Sequence, residues 1–282
     1  MRRRHSGSVR GWWQDFTDLV LPAECAGCGR PRTVLCPRCR AVLGGSAPRR
    51  VRPAPEPAGL PVVHAAAPYA DEVRATLLAH KERGALVLAA PLGAALAGAV
   101  RAGLRRAGLG RDGRPVLLVP VPSARRAVRA RGHDPARRIA LAAAAGLRRT
   151  GTPARVPAVL RQRRAVADQS GLDSRQRLAN LAGALEVAPG GVRLLRAGPV
   201  VLVDDLMTTG ASLTEAARAV RSAVYLARAR EGMGLRNSGT RREEEDNRMY
   251  DASEMTGTNG AGEVICAAVV ASSPDSFEIG RN

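Results

Sequence analysis

The chain is expected to fold as an α/β protein with a ligand site at the carboxyl edge of a parallel sheet, and with a small cysteine-stapled module at its amino end. Three observations lead there. The run Pro199-Val200-Val201-Leu202-Val203-Asp204-Asp205-Leu206-Met207-Thr208-Thr209-Gly210-Ala211-Ser212 passes from apolar strand to acidic pair to small hydroxyl-bearing turn without a spacer. Two Cys-X-X-Cys pairs, Cys25/Cys28 and Cys36/Cys39, flank the short stretch 29–35. A chain of 282 residues, 45% of them hydrophobic, can bury one main core and carry one small module besides.

The amino-terminal unit is read as residues 1–42. Arg2, Arg3 and Arg4 form a solvated tail, and Trp12, Trp13, Phe16, Leu19 and Val20 follow approximate helical spacing that suits packing on the cysteine module. Each Cys-X-X-Cys turn supplies two thiolates from one knuckle, and four soft ligands at tetrahedral corners suit structural Zn²⁺. Disulfides are the alternative. Neither a signal peptide nor a spanning segment is expected, so a cytoplasmic location is expected and zinc is favoured over disulfides. The fifth cysteine, Cys266, lies in an apolar run and reads as a buried small hydrophobe.

Residues 43–60 are rich in Pro, Arg, Gly and Ala without hydrophobic period and read as a linker. The main domain then occupies 61–282. A first strand is expected over 62–66, and a helix over 69–79 with Tyr69, Val73, Leu77 and Leu78 on one face. The small apolar stretch 85–100 ends at Arg101, short of the roughly 20 residues that cross a bilayer, and reads as a buried helix. A strand over 115–119 must stop where Pro120 and Pro122 remove ladder donors. An alanine-rich helix over 139–147, a short strand at Val159-Leu160 and a polar helix over 174–181 precede the strand Val200 to Val203, whose unalternating apolar character marks an inner parallel strand.

Aspartates at the end of such a strand are costly to bury unless they bind something. Asp204 and Asp205 can accept hydrogen bonds from adjacent sugar hydroxyls. Thr208, Thr209, Gly210, Ala211 and Ser212 turn into a helix expected over 213–221, whose unpaired amides and dipole suit a phosphate. Residues 225–260, charged and Gly- and Asn-containing, read as an insertion or a local sequence anomaly before a last strand over 264–271.

The acidic pair and its turn resemble the phosphoribosyl pyrophosphate (PRPP) signature of type I phosphoribosyltransferases. The four cysteines, the stretch 69–84 with Lys81 and Gly84, and the Val-Pro-Val-Pro-Ser loop resemble the competence protein ComF family, which joins a zinc-ribbon-like module to that three-layer, mostly parallel α/β fold. The resemblance implies ribose and Mg²⁺ binding by Asp204 and Asp205, and 5′-phosphate binding by Thr208, Thr209, Gly210, Ala211 and Ser212. It also implies pyrophosphate contacts from Lys81, Ser123, Arg125 and Arg126, with Arg131 bracing their loop, and a closing hood bearing Arg161, Arg163 and Arg175. Where the family commonly has Arg-Gly-Phe-Asn-Gln, this chain has Arg131-Gly132-His133-Asp134-Pro135, which puts the local packing in question.

The implied function is Mg²⁺-dependent transfer of phosphoribosyl from PRPP to a nitrogen acceptor; the sequence names neither the acceptor nor a general base. Two alternatives stand beside it: a noncatalytic competence-associated protein touching single-stranded DNA or competence proteins, and an adaptor whose zinc module recruits a protein partner. The formal charge of +19, from 44 basic and 25 acidic residues, favours anionic ligands in every case. An aromatic content of 2% gives little of the stacking platform used by single-strand binders.

Overall fold

The structure, a computed structural model, describes residues 24–109, 113–164, 173–238 and 264–277. Eight strands and eight α-helices are seen among them. In chain order these are α1 (Pro37–Gly44), β1 (Arg49–Val51), β2 (Val63–Pro68), α2 (Asp71–Glu82), α3 (Ala89–Arg106), β3 (Val116–Pro120), α4 (Arg125–Arg131), α5 (Pro135–Arg149), β4 (Ala154–Arg155), β5 (Leu160–Gln162), α6 (Ser174–Leu181), β6 (Leu185–Val187), α7 (Gly191–Leu195), β7 (Val200–Met207), α8 (Ala211–Ser238) and β8 (Val264–Ser272).

Six strands form one sheet in the order β1-β2-β8-β7-β3-β4, parallel except for the edge strand β1. The apolar run Val200 to Val203 lies between β3 and β8, as its lack of alternation requires of a strand covered on both faces. Val201 and Val203 pack with α3 and α5, whereas Val200 and Leu202 pack with Leu213, Ala217 and Val220 of α8. Helices thus cover both faces of a central sheet, a three-layer α/β architecture. A separate antiparallel hairpin, β5–β6, stands off the main sheet.

The buried helix expected over 85–100 is a 3₁₀ turn at Leu86–Leu88 followed by α3. This segment is long and apolar enough to cross a membrane by composition, yet 61% of the apolar window is buried inside the fold. Its small residues serve close packing. A Cβ on Gly93 would stand 2.5 Å from the Ala142 Cβ of α5, and one on Gly103 would stand 2.6 Å from the Cys266 Sγ of β8. Cys266 is indeed buried, and burial pushes its thiol up to about 12.

Three expectations change. The stretch 43–60 also carries the buried end of α1 and the strand β1, whose Arg49, Arg50 and Val51 pair with Ala65, His64 and Val63. Three residues lacking hydrophobic period give no strand signal; the exposed edge of β2 recruits them. The helix expected over 213–221 runs from Ala211 to Ser238, so the opening part of the stretch 225–260 is helical; the segment 226–230, Leu-Ala-Arg-Ala-Arg, consists of good helix formers throughout. The remainder, with Arg2 to Arg4, Trp12, Trp13, Phe16, Leu19 and Val20, lies outside the described residues. Finally, α4, β4, β6 and α7 were not expected, each being eight residues or fewer.

Gly93→Val should destabilise the chain by about 1–3 kcal/mol, because two side-chain methyls must be accommodated where even a Cβ meets α5. Urea denaturation would measure it, and an unchanged midpoint would contradict the close α3–α5 crossing.

Candidate functional site

Strand β3 ends at Pro120, opposite Val203, so β7 outruns it and carries Asp204 and Asp205 past the sheet's rim. A cavity of about 440 Å³ opens there. Its lining includes Asp204, Asp205 and Thr208 from β7 and the following turn, Ser212 from the start of α8, Ser123 and Arg126 from the loop after β3 and from α4, and Lys81 from α2. Residues separated by more than a hundred positions in sequence therefore meet at the carboxyl ends of adjacent parallel strands, where α/β sheets hold ligands.

Helix α2 ends at Glu82, and Gly84, at φ 69°, turns the chain away in the left-handed region. Lys81 is left in the last turn, with Nζ 3.0 Å from Asp205 Oδ2. Burial works to lower the pKa of the Lys81 ammonium, but the carboxylates of Asp205 and then Asp204 outweigh it, and the net shift is upward. Asp204 is held well above its ordinary value by burial first and by the Asp205 charge second. Its Oδ1 accepts a hydrogen bond from the Asp205 backbone N–H at 2.8 Å.

The turn after β7 spans 208–210, and α8 begins at Ala211. Gly210 has φ 77°, and a Cβ there would lie 3.1 Å from the Leu60 side chain, so this position needs glycine for its backbone and for its packing. Thr208 and Ser212 line the cavity; Ala211 is buried and faces elsewhere, towards a second pocket beside Leu178 and Thr214.

The loop after β3 is braced as the sequence suggested. Arg131 Nη1 contacts Glu82 Oε1 at 3.0 Å, and its Nε donates to the Ala127 carbonyl at 3.1 Å. The departure at 133–135 is repaired locally. His133 is buried, with Nδ1 3.1 Å from the Arg131 carbonyl and Nε2 3.1 Å from the His80 carbonyl. Asp134 caps α5 by accepting from the Arg137 N–H, and Pro135 takes the first helical position, where its missing N–H costs nothing. His133 and Arg131 tie the loop to the last turn of α2, which fixes Lys81 relative to Arg126.

Several candidates sit elsewhere. Lys81 stays in the acidic pair's cavity, where it supplies the counter-charge to Asp205. Arg125 points to a neighbouring cavity, since consecutive helical positions diverge by about 100°. In the hairpin, Arg161 pairs with Glu186 across the strands at 2.8 Å, and Arg163 lines the neighbouring cavity. Arg175 is exposed in the first turn of α6 and lines none of the cavities described. From the hairpin and α6, Gln162, Leu185 and Leu181 do line the acidic pair's cavity. Glu215 was also missed: buried, it accepts from the Leu185 N–H at 2.9 Å and from Arg218 at 2.7 Å, and so anchors the hairpin to α8.

At the amino end the Sγ atoms of Cys25, Cys28, Cys36 and Cys39 all lie within 4.8 Å of one another, a cluster capable of coordinating a metal ion. Burial opposes ionisation of Cys25, yet backbone N–H groups of Cys36, Cys28 and Gly27 bring its thiol down to about 6. The Cys39 N–H likewise lowers Cys36, whereas burial raises Cys39. The module is not detached. Its Cys25, Cys36, Cys39 and Leu43 share one core with α2 and α3, and Arg38 pairs with Glu72 of α2 at 2.8 Å.

The chain matches no protein-family model and no curated protein sequence.

Two outcomes are expected. Because the folded chain holds the Asp204 proton more tightly than the unfolded chain, that group stabilises the fold below its ordinary value of 3.8, and the contribution is lost as pH rises through the raised value. Asp204→Asn should therefore raise the neutral-pH Tm of the ligand-free chain and flatten its decline with pH; an unaltered Tm–pH profile would contradict this. Glu215→Ala, which strands the buried Leu185 N–H, should cost about 1–3 kcal/mol in chemical denaturation.

Proposed function

We propose that the cavity binds PRPP with Mg²⁺ and that the chain has a type I phosphoribosyltransferase-like fold and activity. What carries the reading is that one cavity gathers the acidic pair, two hydroxyls of the turn into α8, and Lys81, Ser123 and Arg126 on the facing walls. Its volume of about 440 Å³ lies within the range of small-molecule sites, roughly 300–1,000 Å³.

Asp204 and Asp205 accept hydrogen bonds from the two ribose hydroxyls. The 5′-phosphate sits against Thr208, Ser212 and the first amides of α8, where unpaired N–H groups and the helix dipole favour an anion. Arg126 and Ser123 meet the pyrophosphate, and Arg126 suits it by its planar fork of donors. Lys81, already beside Asp205, supplies a positive charge between the sugar and pyrophosphate positions. Mg²⁺, when bound, supplies further charge neutralisation on the pyrophosphate; the residues fitted to hold it are Asp204 and Asp205.

In the transfer, the bond from the anomeric carbon to pyrophosphate breaks with its electron pair leaving on oxygen. A bond from the acceptor nitrogen forms, and the proton that this nitrogen gives up passes to water. Positive charge builds on the sugar ring between these events, close to two carboxylates, and negative charge builds on the leaving group, close to Arg126 and Lys81. The chain's contribution is positioning and electrostatic stabilisation. The β5–β6 hairpin, held by Glu215, forms part of the wall that limits access of water.

The four cysteines are proposed to hold structural Zn²⁺. Four thiols with no competing carboxylate or imidazole in the group suit that ion, and tetrahedral Zn–S bonds of about 2.3 Å imply S···S distances of about 3.8 Å. Contraction of the observed cluster by no more than about 1 Å reaches this.

Calorimetric titration tests the substrate. PRPP with Mg²⁺ should bind, and Asp205→Asn should weaken it roughly tenfold to a hundredfold, the loss of one charged hydrogen-bond acceptor worth about 1.5–3 kcal/mol. Equal affinity in wild type and variant would contradict the assignment. Removing the metal with a strong chelator, or Cys36→Ser, should lower Tm and loosen α2; a chain indifferent to both holds no structural metal.

A further inference from the structure

A second cavity, of about 410 Å³, lies beside the first. One wall is α4, which presents Arg125, Arg126 and Arg129; the other is the end of β5 and the residues after it, with Gln162, Arg163 and Arg164. Among the described residues no acidic side chain lines it. Arg126, Gln162 and Ala124 line both cavities, so the two are contiguous.

Arg125, Arg126, Arg129 and Arg163 bring like charge to one concave space, and an anion in that space relieves the repulsion. The walls are held from behind rather than left as loose tips. The Arg164 guanidinium donates to the carbonyls of Asn180 and Ala182 at 2.8 and 3.0 Å, and the Arg163 backbone N–H donates to the Ala184 carbonyl at 2.8 Å. Among the described residues no aromatic ring lines either cavity, so these walls lack the stacking surface on which single-stranded nucleic acids are bound. The fork geometry of arginine instead matches the paired oxygens of a carboxylate or phosphate.

We infer that this arginine-lined cavity is the subsite for an anionic group, carboxylate or phosphate, carried by the acceptor molecule. Its role as an acceptor subsite rests on the phosphoribosyl reading of the first cavity; its affinity for anions does not. The shared wall of Arg126 and Gln162 sets such an acceptor next to the sugar, with its charge turned away from the acidic pair. Neutral bases would gain nothing from this space, so the acceptors selected are anionic.

Calorimetry on the full chain tests this with inorganic phosphate and with phthalate as probes, each titrated into the chain alone and into the chain saturated with PRPP and Mg²⁺. At least one probe should still bind the saturated chain, and the tighter one identifies the anionic group. Arg129→Ala should weaken that probe about fivefold or more, with PRPP affinity held within about twofold, and Arg125→Ala/Arg129→Ala should weaken it further. Both arginine positions are exposed on a short helix, so the variants leave the core intact. Failure of both probes to bind the saturated chain overturns the subsite, as does an Arg129→Ala loss of PRPP affinity equal to the loss of probe affinity. Tighter binding of a single strand of about ten nucleotides, by a hundredfold or more and with the same arginine dependence, assigns the cavity to a polynucleotide backbone and overturns it too. If PRPP does not bind while a probe binds the free chain and Arg129→Ala weakens it, the phosphoribosyl reading and the acceptor role fall and the anion site stands.

Discussion

Two adjacent carboxylates at the rim of a buried sheet repel each other and lose water, and a cation must share their space for the arrangement to persist. Lys81 fills that need from a different element. Its ammonium, 3.0 Å from Asp205, neutralises one charge, while burial and the neighbouring Asp205 favour the proton on Asp204. The acidic pair is thereby close to balanced, while Arg126 and Arg131 leave the cavity with positive charge to offer an anion. Much of the surrounding structure serves to hold α2 where this pairing works.

Three supports converge on that helix. Gly84 stops it so that Lys81 falls in its last turn. The loop after β3 grips the same turn through Arg131 to Glu82 and through His133 to the His80 carbonyl. At the other end the cysteine module packs against α2: Arg38 reaches Glu72, and a Cβ on Gly27 would stand 3.2 Å from the Glu72 Cβ. A four-cysteine module some fifty residues upstream of Lys81 in sequence is thus mechanically continuous with the helix that supplies the cavity's counter-charge. This gives the cysteines a reason to accompany this sheet: a short helix bearing the sole lysine among 44 basic residues is buttressed from outside the sheet.

The parts legible in the sequence were those fixed by local chemistry. An apolar run without alternation, an acidic pair and a glycine turn announced β7, its position inside the sheet and the cavity at its end. Four cysteines in two pairs announced their cluster. What the sequence concealed was long-range pairing. Nothing local in Lys81 reveals that Asp205 is its partner, and Arg125 and Arg126 look equivalent in the chain although only Arg126 also lines the acidic pair's cavity. Arg161 read as a hood cation because its cross-strand partner Glu186 lies 25 positions away. Short elements such as β1 and β4 carry no periodicity and form only because a sheet edge is already present.

The single lysine offers the most direct test of the account, since reductive methylation with ¹³C-formaldehyde labels it alone among side chains and its resonance reports its own titration. The Lys81 signal should titrate above the ordinary lysine value of 10.5 in the free chain, lose that elevation in Asp205→Asn, and shift on saturation with PRPP and Mg²⁺. A lysine that titrates at or below 10.5 and does not respond to either change would contradict the pairing on which the cavity, and the function proposed for it, depend.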